Sequence, residues 1–570
     1  MKKANIKILR FIALLTVIVV IFAFTSICLV ACDKNKQTTP SDNGNNSTVT
    51  PGDDDNTGDE NKGDDNKGDN NGDDNKGDDN KGDDENNKKP DVDLNDVATL
   101  FNFYNDNNNR DVVIQGLKAE YADITKITIP QGVTKIGPYA FANCTALESV
   151  TTPDSLTEIG NYAFSGCTGL TEIVIAKGIK SVGDNAFASC NKLTEITLPN
   201  GVTEIGEQAF ADCRELASIT IPDSVMSVGP KVFENTAWFN RQADGVVYAG
   251  KVACAYKGDM QEGTVITLKD DTKGIGRSAF ADNANLAGIT IPSSVIVIEF
   301  NAFYNCVGLT SVEIPKSVTS IGLGVFANCN SLTNISVAQD NAHYHSTGNC
   351  LIETSTKTLI AGCKSSVIPN DGSVTSIGTY AFHNCNELVS ISIPSGVTTI
   401  GDSAFFGCTK LASLTIADTV TSIGTYAFLD CASLTSVVIP NSVTSIGGGA
   451  FGGCKELTSV TLSNGLTSIA SSMFSGCSKL ESIVIPENVA NIGTYAFDGC
   501  ESLTTVTISE GVTSISSNAF SNCAHLTTMV YGGSAQQWNA ITKDPNWMQD
   551  TGNFTVKCAD GTNIQEPQAA

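Results

Sequence analysis

From residue 124 onward, apolar and polar positions follow an order that keeps returning. In the stretch Leu434 to Cys454, LTSVVIPNSVTSIGGGAFGGC, residues Leu434, Val437, Ile439, Val443, Ile446 and Phe451 are apolar, and the positions between them are mostly polar. The alternation Val437-Val438-Ile439 predicts a short strand. Pro440 has no N–H to give a ladder and ends that strand, while Asn441 and the glycines from Gly447 to Gly449 predict turns.

Phenylalanines stand at 141, 164, 187, 210 and 233, again at 280, 303 and 326, and again at 382, 405, 428, 451, 474, 497 and 520, with a step of 23 inside each run. Three residues after most of them comes a cysteine: Cys144, Cys167, Cys190, Cys213, Cys306, Cys329, Cys385, Cys408, Cys431, Cys454, Cys477, Cys500 and Cys523. Thr236 and Asn283 are the exceptions. A unit this small has one apolar face and nothing to cover it, so it is stable only when stacked on copies of itself. The expected architecture over 124–530 is an α/β-type repeat solenoid, a curved rod of about 17 turns with parallel strands, roughly 80 Å long.

The longer gaps, 47 residues from Phe233 to Phe280 and 56 from Phe326 to Phe382, each predict a degenerate turn with an insertion, at about 234–264 and 336–366. Val265-Ile266-Thr267-Leu268 and Val367-Ile368-Pro369 keep the strand pattern. Residues 245–258 and 349–363 read as β-hairpins around Ala249-Gly250 and Ser355-Thr356, expected to protrude from the rod. Residues 93–123 are expected to cap one end. Residues 531–570, with Trp538, Trp547 and Phe554, are expected to form the other cap and tail.

The motif LxxIxIPxxVxxIGxxAFxxC resembles the BspA-like leucine-rich-repeat surface lipoproteins. That resemblance implies a leucine-rich-repeat rod and adhesion to host proteins or to other microbes.

The start of the chain has a different logic. Lys2, Lys3, Lys7 and Arg10 precede an apolar run from Phe11 to Val30, the layout of an export signal. The run is also about long enough to span a bilayer uncleaved. Leu29-Val30-Ala31-Cys32 resembles the bacterial lipobox, which implies removal of 1–31 and diacylation of Cys32, with everything after it outside the cell membrane. Residues 32–92 are nearly devoid of apolar groups and repeat variants of Gly-Asp-Asp-Asn-Lys, at Gly63, Gly72 and Gly77, so they are expected to be a disordered tether reaching roughly 40 Å. Asp53, Asp55 and Gly58 match three positions of a calcium loop, but Thr57 and Asp64 break the pattern, and a solvated linker is the simpler reading. A tether of this length suits display across a thick wall.

Net charge is −26, and 15 Asp and Glu between 53 and 85 against six Lys between Lys62 and Lys89 supply −9 of it. No Lys/Arg stripe tracks a phosphate backbone, so nucleic acid is not an expected partner. The thirteen in-phase cysteines predict a ladder of buried thiols, with some bridging as the alternative. Cys254, Cys350, Cys363 and Cys558 are out of phase, and Cys350 with Cys363 is the pair to test first for a disulfide. No CxxC occurs and His343 with His345 makes only two ligands, so no metal or other cofactor is expected. No nucleophile elbow, HExxH or phosphate loop is present, and the body's carboxylates fall at variable phases, so no catalysis is expected.

The candidate binding face consists of the residues between the buried strand positions: Thr128, Ser149, Thr151, Glu172, Val174, Glu195, Thr197, Ser218, Thr220, Ser311, Glu313, Ser436 and Val438. Hydroxyl rows also favour β structure through threonine propensity alone. The expected function is that of a monomeric, lipid-anchored surface protein recognising host or microbial macromolecules. The alternative is glycan capture for polysaccharide uptake, with Trp238, Phe239, Tyr248 and Tyr256 stacking on sugar rings. Ice binding along the threonine rows is a third reading, weakened by the adjacent serines.

Overall fold

The structure is a computed structural model that describes residues 100–105 and 111–566. The lipobox, Cys32 and the tether lie outside the described residues. Two short parallel strands per turn build the body. Ser436–Val438 is one such strand and Ser445–Ile446 the other. The first pairs with the next turn at a shift of 23, Ser436 opposite Ser459 and Val437 opposite Val460. The second stacks likewise, Ser422 opposite Ser445 and Ile423 opposite Ile446. Two parallel ladders therefore run along the solenoid.

The turn between the ladders follows from backbone chemistry. Every ladder phenylalanine is flanked, two residues before and two after, by a residue in the left-handed region, such as Tyr426 at φ 56° and Asp430 at φ 59° around Phe428. That pair reverses the backbone so that alternate amides point to the next turn. Tyr426, Phe428 and Asp430 donate to the carbonyls of Gly448, Ala450 and Gly452 at 2.8–2.9 Å. L-residues adopt this conformation at about 1–2 kcal/mol each, which explains the frequent Asn, Asp and Gly two residues after the ring. The tyrosines and lysine found two residues before it pay the same strain.

Inside, the rings stack: Phe405, Phe428 and Phe451 lie 5.1 and 5.2 Å apart with planes within 7°. At the ends an aromatic closes the stack edge-on, Phe101 against Phe141 and Trp547 against Phe520. Antiparallel strands cover one edge at each end, Phe101–Asn105 beside Val112–Leu117 and Asn563–Glu566 beside Phe554–Cys558. Such cover blunts edges that would otherwise pair with other chains.

Three corrections follow. The solenoid has about 19 turns rather than 17, because end and insert segments supply rungs without a ladder phenylalanine. It is a β-solenoid with little helix, Ala237–Asn240 and Ala535–Ala540 being the α-helices fully within the described residues. The inserts do not simply protrude. Val252–Lys257 pairs antiparallel with Gly245–Ala249 and parallel with Gly274–Ile275, so the hairpin is itself a rung of the second ladder. Thr358–Ala361 does the same beside Ser376–Ile377, carrying a three-strand meander from Tyr344. Thr264–Thr267 joins the first ladder, whereas 367–369 forms no strand. The buried apolar residues accordingly divide into three clusters whose boundaries fall at the two inserts.

Candidate functional site

Register places the expected face residues in two rows on the exposed side of the first ladder. Ser149 lies opposite Glu172, and Thr128, Thr151 and Val174 follow one another. Glu195 and Thr197 pair with Ser218 and Thr220, Ser311 and Glu313 with Asn334 and Ser336, and Ser436 and Val438 with Ser459 and Thr461. The intervening Val150, Ile173, Ile196, Val312 and Val437 are buried. Alternation along a pleated strand dictates this split. Val438 and Val484 are 64% and 62% exposed.

Not every hydroxyl faces a ligand. Thr171, Thr310, Thr333, Thr458, Thr504 and Thr527, one position before the strands, donate at 3.0–3.2 Å to carbonyls of the preceding turn. Those threonines knit the rod. In the two outer rows, Thr415 donates to Ser392 and Ser336 to the Val312 carbonyl. Ser149, Ser218, Ser311, Ser436, Thr128, Thr151, Thr197 and Thr220 have no side-chain hydrogen bond among the described residues, which leaves their hydroxyls to water or to a ligand. Broad concavities lie over this face, about 770 Å³ around Val367, Ser390, Ser392, Ser413 and Thr415 and about 550 Å³ around Glu172, Val174, Glu195 and Thr197. Their shared floor is a sheet surface, suited to an extended macromolecule rather than an engulfed small one.

The in-phase cysteines serve the interior. Cys431 Sγ donates to the carbonyl of Phe405 at 3.3 Å, and the amide of Cys408 donates to the same oxygen at 3.2 Å. The thiol bond recurs from Cys167 to Phe141 through Cys523 to Phe497, except at Cys385, the first in-phase cysteine after the second insert. Cys144, at the start of a run, is only partly buried. Where the cysteine is replaced, Thr236 and Asn283 donate instead to their own Phe233 and Phe280 carbonyls. Burial pushes the thiols of Cys167, Cys306, Cys385, Cys477 and Cys523 up to about 12. All described cysteines are free, Cys350 and Cys363 included. Those two sit in different core clusters, with Cys350 Sγ turned to the carbonyls of Gly348 and Val367.

The four aromatics of the first insert do not form one platform. Trp238 packs edge-on against Phe233 at 4.7 Å, and Tyr248 lies under the Lys269 ammonium at 4.2 Å. Phe239 and Tyr256 line a separate cleft of about 320 Å³. Among the described residues no cluster of three His, Cys, Asp or Glu could hold a metal ion. No described helix is long and apolar enough to cross a membrane.

A stacked solenoid presenting an open sheet face defines a leucine-rich-repeat protein, a class whose members are typically non-enzymatic binding proteins. Six copies of the BspA type leucine rich repeat region match at residues 119–239, 255–361, 356–447 and 421–541, and the chain belongs to that family. BspA-like leucine-rich-repeat proteins are typically bacterial cell-surface proteins. The chain is similar to a leucine rich cell surface protein from Faecalibacterium prausnitzii, at 30% identity over 78% of this chain and 96% of that one, with a TM-score of 0.35. It is also similar to a leucine-rich repeat protein from Eubacterium ventriosum, at 21% identity over 78% and 90%, TM-score 0.40. The pneumococcal vaccine antigen PcpA matches at 18% identity over 80% and 99%, TM-score 0.34. No curated protein matches the chain.

Proposed function

We propose that this chain is a surface adhesin, anchored by a diacylated Cys32 after cleavage behind Leu29-Val30-Ala31, held off the membrane by residues 32–92, and binding host or microbial proteins through the outer rows of the first ladder. The observation that carries the binding role is the open face itself: successive turns present uncommitted hydroxyls, valines and the carboxylates of Glu172, Glu195 and Glu313 on one rigid surface. Extended repeat surfaces of this kind recognise macromolecules. Protein is favoured over glycan because Trp238 and Tyr248 are committed to internal contacts.

The test is a binding screen of the full chain against extracellular-matrix proteins and glycan arrays, repeated with Val438→Asp combined with Val484→Asp. Protein ligands that bind at least about tenfold more weakly to the double variant, at an unchanged thermal midpoint, support the reading. Sugar-only binding, turnover of any ligand, or protein binding indifferent to the two aspartates counts against it. The anchor is tested by Cys32→Ser, which is expected to abolish fatty-acid labelling and shift the chain from the membrane fraction.

A further inference from the structure

The amide ladder that joins successive turns lapses at both inserts, leaving Gly324 and Phe326 without an acceptor among the described residues at the second and opening most fully at the first. Gln208, Phe210 and Asp212 donate to the carbonyls of Pro230, Val232 and Glu234, and Ser278, Phe280 and Asp282 donate to those of Phe300, Ala302 and Tyr304. Between these two sets lies the step from Phe233 to Phe280. There the amides of Lys231, Phe233 and Asn235 find no acceptor among the described residues, and the carbonyl of Ala279 receives no donor. The Ala281 carbonyl is reached only by the side chain of Asn283, at 3.3 Å.

The second insert handles the same problem differently. Asn328 donates across it to the carbonyl of His383 at 3.0 Å, and Gly362 of the insert donates to the carbonyl of Ala381 at 2.8 Å. Gly362 can come this close because it has no Cβ, which would meet the Phe382 ring at 2.0 Å. The first insert offers no such substitute. Its two flanking turns meet at their base, where the Arg277 amide donates to the Val228 carbonyl at 2.9 Å, while the Arg277 guanidinium reaches one turn further to pair with Glu204. Beyond that contact they part around the cleft of about 320 Å³, with Lys231 and Phe233 on one wall, Ala279 and Ala281 on the other, and Phe239 and Tyr256 completing it.

We propose that this wedge is a peptide-binding slot, in which a short segment of a partner polypeptide lies as a surrogate rung, its carbonyls accepting from Lys231, Phe233 and Asn235 and its amides donating to Ala279 and Ala281. The walls select the ligand class. One presents amide donors and the other carbonyl acceptors, each row at every second residue, and a peptide backbone carries the complementary groups at the same spacing. Added backbone segments of this kind bind through main-chain hydrogen bonds, with pockets for alternate side chains. Phe239 and Tyr256 offer the apolar contact for one such side chain. The slot lies apart from the outer rows of the first ladder, so it stands whether or not the adhesin reading does.

The probe is a labelled synthetic peptide copying the rung Gly424–Asp430, Gly-Thr-Tyr-Ala-Phe-Leu-Asp. It is titrated into the full chain and into Ala281→Tyr. Turns elsewhere carry Tyr304 and Phe406 at the position of Ala281, so tyrosine suits the fold and its ring closes the wedge. Binding at least about tenfold weaker in the variant, and weaker still for a peptide N-methylated at its Tyr, Phe and Asp amides, is the expected result. Backbone hydrogen exchange gives a second readout: the Phe233 amide should exchange faster than that of Phe210 in the free chain and become protected with peptide. No binding at about 1 mM peptide, equal binding to Ala281→Tyr, indifference to N-methylation, or displacement by simple sugars overturns the proposal.

Discussion

Replacing Phe428 with alanine removes a ring from inside the longest unbroken stack, which runs from Phe382 to Phe520. Phe428 is fully buried, with Phe405 at 5.1 Å on one side and Phe451 at 5.2 Å on the other. Truncation of a buried phenylalanine costs about 3–5 kcal/mol. The two stacked pairs account for about 1–3 kcal/mol of that, so Phe428→Leu, which keeps most of the buried volume, should lose about that smaller amount. Energy in a solenoid is passed between neighbouring turns, so the loss falls on a few rungs rather than on the whole chain. Urea unfolding followed by two probes reads this out. Circular dichroism sees all the strands, whereas fluorescence sees only Trp238, Trp538 and Trp547, which lie at the first insert and the C-terminal cap. The expected outcome is a lowered midpoint and a parting of the two curves for Phe428→Ala, with Phe428→Leu intermediate. A shift worth less than about 1 kcal/mol, or equal damage from leucine and alanine, would refute the claim that the stack is the core's backbone.

Other outcomes follow from the same interior. Burial holds the thiols of Cys167 and Cys306 up at about 12 in the folded chain against an ordinary value of 9.0, and raises those of Cys408 and Cys431 as well, so the unfolded state gives up their protons first. Stability should be level below about pH 9 and fall as pH rises towards 12, which thermal midpoints in a pH series will show; a midpoint that stays flat to about pH 11 contradicts it. Ser472, at φ 55°, should tolerate glycine, while Ser472→Val should cost about 1–2 kcal/mol in urea unfolding. Removing residues 554–566 uncovers the strand Thr528–Tyr531, and the shortened chain should self-associate in size-exclusion chromatography with light scattering, a monomer being the contrary result.

The period, the parallel strands and the inward cysteines were legible because each depends on residue type at a fixed spacing. The left-handed pairs were not, since the position before the ring holds Tyr426, Lys231, Gln208 and Ser278 alike, and no shared chemistry marks it. The hairpins could be read but their placement could not. Val252, Ala253 and Leu359 look like the inner residues of any hairpin, and only the register shows that they replace ladder residues. The outer rows followed from strand alternation, although which hydroxyls knit the rod and which face outward depends on one position of offset. The slot beside Phe233 left no trace in residue types, because the groups that define it are backbone amides and carbonyls that nearly every residue carries.

Where a repeat is this regular, recognition has to come from departures from it. The outer rows depart by side chain: Glu172, Glu313 and Val438 interrupt runs of serine and threonine without disturbing the ladder beneath. The inserts depart by backbone. Each enters the second ladder as a proper rung, so strand pairing continues, yet the ring stack stops at Phe233 and resumes at Phe280, and stops again at Phe326 and resumes at Phe382. Each lost pair forgoes about 0.5–1.5 kcal/mol of stacking. The second break recovers part of this through the bonds of Asn328 and Gly362, while the first leaves its amides unmatched. A break left open on both its donor and its acceptor side is a local instability that a bound backbone segment would relieve, and that links the least regular part of the fold to binding more directly than any single side chain does.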